Sequence, residues 1–135
     1  MAVPNASTRI RAAVAAWPGM SEAPHRFGGV EFRLGTREIG HLHGDRLLDV
    51  PFPKRVRDEL VAAGLARPHH VLPESGWISF PIAAEADVAA AIALLRHSHD
   101  LIAAQLERRA AQSAAAKRPP PQAGSTASPA GASRK

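Results

Sequence analysis

The chain predicts an α+β domain: a single antiparallel sheet of about four strands with helices packed on one face, in the order α-β-β-β-α-β-α, and then a disordered C-terminal tail. Three observations carry this. Residues 30–50 alternate apolar and polar side chains around two glycine-led turns. Residues 51–64 and 84–109 repeat apolar side chains at helical spacing instead. Beyond residue 110 the chain is rich in Pro, Ala, Gly and Ser and has little to bury. The predicted organisation is an N-terminal helix over 1–16, an α+β core over 17–109 and a basic tail over 110–135.

The elements follow in order. Ala6 to Ala16 is alanine-rich and predicts a short helix with Ser7 as its cap, ended by Trp17-Pro18-Gly19. Met20 to Phe27 reads as a connector. Val30 to Val50, VEFRLGTREIGHLHGDRLLDV, reads as a three-strand meander. Pro51 to Gly64 predicts a helix, with Pro53 near its first turn and Gly64 just past its end. Leu65 to Ser75 is a loop containing His69 and His70. Gly76 to Ile82 is a fourth strand, with Ile78, Phe80 and Ile82 on one face and Trp77 and Ser79 on the other, and Pro81 marks an edge or an early end. Ala84 to about Arg109 is the longest helix, with acids at its start and arginines at its end to suit the macrodipole.

Residue types also predict a register for the meander. A two-residue Gly35-Thr36 turn sets Leu34 against Arg37, Arg33 against Glu38, Phe32 against Ile39 and Val30 against His41. A Gly44-Asp45 turn sets His43 against Arg46, His41 against Leu48 and Ile39 against Val50. One face then carries Val30, Phe32, Leu34, Ile39, His41, Leu48 and Val50, and the other carries Glu31, Arg33, Glu38, Leu42, Leu47 and Asp49. His41 is expected on the apolar face at the helix–sheet interface, with His43 beside it.

Composition narrows the chemistry. The 135 residues suffice for one domain with a modest, alanine-rich core. There is no cysteine, which excludes disulfides, thiolate metal sites and cysteine nucleophiles. No segment approaches the length of a membrane span, and the apolar run after Arg11 is too short for a secretory signal, so a cytoplasmic protein is expected. Residues 1–107 hold 11 Lys+Arg and 12 Asp+Glu, a net of −1, whereas residues 108–135 hold 6 Lys+Arg and no acid. The tail therefore carries the surplus behind the +5 net charge and could attract nucleic acid weakly.

The histidines are the candidate chemistry. Alternate residues on a strand project to one face, so His41 and His43 can present two imidazoles together, with a third from the His69-His70 loop. The cluster admits three readings: structural histidines, an organic-ligand pocket, or a metal site using His41, His43 and His69, with Asp49, Asp45 or Glu74 orienting a ligand. Trp77 either lines that pocket or packs. Ser98-His99-Asp100 spells a triad, but consecutive helical residues cannot converge on one atom. Phe27-Gly28-Gly29 lacks the following helix of a phosphate loop. Arg46, Lys54, Arg55 and Arg57 interleave with acids and read as a mixed surface.

Three stretches together, HRFGGVEFRLGTREIGHLHGDRLLDVPFPKRVRDELVAAG, ARPHHVLPESGWISFPI and DVAAAIALLRHSHDL, resemble the bacterial "luciferase domain" family of small proteins. The similarity spans about residues 17–106, and Gly40-His41-Leu42-His43, the HHVLP around His69 and His70, and Ser75-Gly76-Trp77 are its most specific pieces. His99 stands where the family pattern has a tyrosine. The element order is also similar to the YjbR-like, or double-wing, layout, for which the resemblance implies DNA binding. The family's label does not imply light-emitting chemistry, and the resemblance supplies no reaction or cofactor.

The expected function is small-ligand binding in a pocket lined by His41, His43, His69, His70 and Trp77. Two alternatives stand beside it: a metal-assisted hydrolase using the histidines, and a nucleic-acid accessory protein acting through the tail.

Overall fold

The computed structural model describes residues 3–117. Its element order is α1 (Ala6–Ala15), β1 (Met20–His25), β2 (Gly29–Leu34), β3 (Arg37–His43), β4 (Leu47–Pro51), α2 (Lys54–Ala62), β5 (Arg67–Pro68), β6 (Trp77–Pro81) and α3 (Ala86–Lys117). The six strands form one antiparallel sheet in the order β1-β2-β3-β4-β6-β5.

The sheet thus has two strands more than the expected four. Both extra strands lie at edges. β1, MSEAPH, carries Pro24 and too few apolar residues to show a buried face, and β5 is two residues long. Edge strands are held by backbone bonds on one side and need no apolar alternation. Residues 110–117, assigned to the tail by composition, continue α3 to Lys117. The remainder of the expected tail, 118–135, and residues 1–2 of the N-terminal segment lie outside the described residues.

The register departs from expectation at two points, and each displaces the chain by one residue. The Gly35-Thr36 turn pairs Leu34 with Arg37 and Arg33 with Glu38 as expected, with Gly35 at φ 62°. Beyond it a bulge leaves Ile39 without a partner, so Phe32 faces Gly40 and Val30 faces Leu42. At the second turn Gly44, Asp45 and Arg46 all stand between the paired residues His43 and Leu47. His41 consequently faces Asp49, and Leu42 faces Leu48.

These shifts move His41 and His43 off the expected apolar face and Leu42 onto it, while Phe32, Leu48, Val50, Glu31 and Asp49 keep their expected sides. Phe32, Leu42, Leu48, Val50 and Ile78 point to one side and are essentially inaccessible. Helix α3 covers that side, because a Cβ on Gly40 would stand 2.5 Å from Leu95 Cδ2. Val88, Ala91, Leu95 and Ile102 of α3 complete the core with Ile10 and Val14 of α1. Each such aliphatic side chain contributes about 1.5–3 kcal/mol by burial. The opposite side carries His25, Glu31, His41, His43, Asp49, Trp77 and Ser79. His41 is therefore not at the helix–sheet interface: it lies on the face turned away from α3.

Local details support the same frame. Ser7 does not cap α1. Its backbone N–H donates to Asp45 Oδ1 at 2.7 Å, so a carboxylate from the β3–β4 turn satisfies a free amide of the helix start. Gly76 is required by a close approach, since a Cβ there would lie 2.0 Å from Phe52 O. Residues 105–117 form a separate compact unit from residues 3–104 and are half-exposed to exposed.

Candidate functional site

The open face of the sheet gathers its polar groups around one fully buried carboxylate. Asp49 faces His41 on one side and Ser79 on the other. Ser79 Oγ donates to Asp49 Oδ1 at 2.7 Å. Around Oδ2 stand four imidazole nitrogens: His43 Nε2 at 2.9 Å, His41 Nε2 at 3.1 Å, His70 Nε2 at 3.1 Å and His69 Nε2 at 3.4 Å. His41 and His43 arrive by strand alternation, and the chain between β5 and β6 brings in His69 and His70.

The bulge supplies the next partner. Residues i and i+3 of a regular strand point to opposite faces. With Ile39 as the extra residue, Glu38 and His41 share a face, and His41 Nδ1 lies 2.6 Å from Glu38 Oε2. Arg33 is the register partner of Glu38, as expected, but its Nε donates to Glu31 Oε2 at 2.6 Å instead. Glu31 Oε1 meets His25 Nδ1 at 3.1 Å, and the His25 ring stacks on His41 with centroids 3.9 Å apart.

Charge follows from these contacts. Burial alone would lower the His41 pKa, but hydrogen bonds with Asp49 and Glu38 override it and raise the ring to about 9. Burial would raise Asp49, but its bonds from His41, Ser79, His70 and His43 hold the carboxyl well below the usual range. For His69, burial is the leading cause and its pKa is lowered. The His69 tautomer is fixed by geometry. Its Nδ1 accepts backbone N–H bonds from Val71 at 3.1 Å and Leu72 at 3.0 Å, so the ring proton resides on Nε2 and points at Asp49.

A cavity of about 370 Å³ opens above this cluster. His41, His43, His69, His70 and Trp77, the five residues predicted for the pocket, all line it. Sequence reasoning missed His25, which lies on the unrecognised edge strand, and Arg26 and Glu38. Asp49 was considered only as an orienting residue, yet it is the centre of the cluster. An acid within the apolar run Leu47-Leu48-Asp49-Val50 is the signal that could have identified it. Asp45 and Glu74 are elsewhere: Asp45 meets α1, and Glu74 is exposed. Ser98 Oγ donates to Pro51 O at 3.3 Å and forms no relay with His99. Arg55 pairs with Glu59, and Arg57 pairs with Asp58 and donates to Pro73 O.

The donor atoms satisfy a simple test for a cation site. His41, His43 and Asp49 offer one ligand atom each within 4.8 Å of one another, as do Asp49, His69 and His70. Donors held ~2.1 Å from a shared ion lie about 3–3.4 Å apart, and the nitrogens stand 2.9–3.4 Å from Oδ2. An ion with open positions in such a site could polarise a bound carbonyl or activate water. Ring nitrogens with a carboxylate suit zinc, iron, cobalt, nickel or copper better than magnesium or calcium.

Comparison with known proteins adds one match. Residues 36–98 match the sequence model of a family described as Luciferase domain. That span covers β3 to the middle of α3 and contains His41, His43, Asp49, His69, His70 and Trp77. No curated protein and no solved structure matches the chain.

Proposed function

We propose that this luciferase-like domain binds a divalent transition-metal ion through His41, His43 and Asp49, with His70 beside Asp49 as a supporting partner, at the base of a pocket that also admits a small-molecule ligand. One observation carries the reading: four imidazole nitrogens surround a single carboxylate oxygen. A carboxylate oxygen has two lone pairs and cannot accept four hydrogen bonds well. His69 donates its Nε2–H; any of the other three nitrogens that presents a lone pair instead needs a cation between it and the oxygen.

Glu38 supports the same reading. If the His41 Nδ1 proton is given to Glu38 across 2.6 Å, Nε2 is left bare and facing Asp49 at 3.1 Å. Two lone pairs then confront each other, which requires either a second proton or a metal ion. A carboxylate that fixes the far nitrogen of a ligating histidine is a common partner of metal sites. In the metal-free protein the extra proton occupies that place, in keeping with the raised pKa of about 9.

His69, a metal candidate from sequence, is not part of the proposed ligand set. Its Nδ1 accepts two backbone amides, so its Nε2 bears a proton and has no lone pair to give. It holds the loop that presents His70.

Zinc titration of the chelator-stripped protein, with elemental analysis, tests the proposal. One equivalent is expected to bind. His43→Ala and His70→Ala should weaken it by at least tenfold, as loss of supporting partners alone costs about 10–100-fold. His69→Ala should retain most of it. No binding of zinc, iron, cobalt, nickel or copper by the folded protein would overturn the reading.

A further inference from the structure

We infer that the pocket's small-molecule ligand is an amphipathic monocarboxylate, with its carboxylate on Arg26 and its apolar body against Val71, Leu72 and Trp77. This rests on the pocket proposed above, and the assay below separates ligand from ion.

The first observation is an unmatched charge. The acids at the site have partners: Glu38 with His41, Glu31 with His25 and Arg33, and Asp49 with Ser79 and the histidines. Arg26 lines the same cavity, from the short turn Arg26–Gly28 just after β1, and is exposed. Among the described residues its guanidinium forms no hydrogen bond or ion pair, although its backbone carbonyl accepts from Gly29 N–H. Arg9, Arg11, Arg55 and Arg96 pair with Glu85, Glu22, Glu59 and Asp100, and of the arginines without an acid partner Arg26 is the one at this cavity. An unpaired guanidinium at a pocket wall offers a planar fork of donors that matches a carboxylate in two parallel bonds. A single fork suits a monoanion; a phosphate generally draws on several donors.

The second observation is apolar. Val71 and Leu72 are 67% and 51% exposed, two of the three large exposed aliphatics among the described residues, and both line this cavity. Their backbone amides are tied to His69, so the loop is anchored while its side chains face water. Trp77, packed against His41 and His69 at 5.3 and 5.9 Å between ring centroids, continues that apolar wall inward. Side chains of this kind around a few directed polar groups are the usual make-up of a small-molecule site. The cavity volume of about 370 Å³ suits a compact organic acid.

Binding of octanoate, butyrate and octan-1-ol to the full chain, by calorimetry with and without one equivalent of zinc, tests the inference. Octanoate should bind at least tenfold more tightly than butyrate, which lacks the apolar body, and than octan-1-ol, which lacks the charge. Arg26→Met and Leu72→Ser, both at exposed positions, should each weaken octanoate at least fivefold without altering zinc affinity. Arg26→Lys should recover only part of the loss. Equal binding of octanoate and octan-1-ol, or undiminished binding by Arg26→Met, overturns the inference even if zinc binds as proposed. Octanoate binding that depends on Arg26 in protein unable to take up zinc upholds the inference and removes the metal reading alone.

Discussion

Asp49 holds the site together, and its removal separates structure from function. A fully buried carboxylate that accepts Ser79 on one oxygen and meets imidazoles on the other has no water to fall back on. Asp49→Asn keeps the shape but withdraws the charge. It should destabilise the metal-free protein by about 1.5–3 kcal/mol, the worth of hydrogen bonds to charged groups, read from denaturant midpoints. It should also abolish zinc uptake. Protonation of His41 gives a second test. Its folded pKa is raised from 6.5 to about 9, so between those values the folded state holds the extra proton and the unfolded state does not. Stability from this source is complete below about pH 6.5 and is lost as pH rises through about 9. Thermal midpoints in chelator should fall across that window. Metal affinity should rise across the same window, because the ion displaces that proton.

At the level of elements, two irregularities in the meander create the site. The bulge at Ile39 turns Glu38 onto the face of His41, and the long turn through Arg46 sets His41 against Asp49. Bulges beside functional clusters commonly re-aim a side chain in this way. Gly40, next to the bulge, lets β3 approach α3: a Cβ there would meet Leu95 Cδ2 at 2.5 Å and Asp49 O at 3.1 Å. Gly40→Ala should therefore cost about 1–3 kcal/mol through overpacking and weaken zinc binding by displacing His41. Stability and metal titration on the same variant would show both effects. A stable Gly40→Ala protein with unchanged zinc affinity would contradict this account of β3.

For the whole molecule, the core is small and a bound ion matters correspondingly. A ligand at 100 times its dissociation constant adds about 2.7 kcal/mol to apparent stability. In a domain of this size that corresponds to a rise of about 10 °C or more in melting temperature, which scanning calorimetry with and without zinc would register. The proposed ligands all lie between residues 41 and 70, so deletion of residues 118–135 should leave zinc affinity unchanged. The same deletion tests the separate expectation that the basic end binds nucleic acid, through loss of any salt-sensitive association. Among the described residues no helix is long and apolar enough to cross a membrane.

The sequence alone determined the α+β class, the three helices and the meander, and it singled out the four histidines. Those features depend on periodicity, glycine placement and strand alternation, which are local. Register beyond the first turn was not local. The bulge at Ile39 and the added residue at Arg46 are each a shift of one, and in a sheet a shift of one exchanges the faces. Only the folded sheet decided that His41 and His43 turn away from α3 and toward Asp49. The reason lies in long-range satisfaction: Gly40 must face Leu95, Leu42 and Leu48 must fill the core, and a buried carboxylate must find partners. Edge strands β1 and β5 escaped notice for a related reason, since backbone pairing to a neighbour, not their own side-chain pattern, makes them strands.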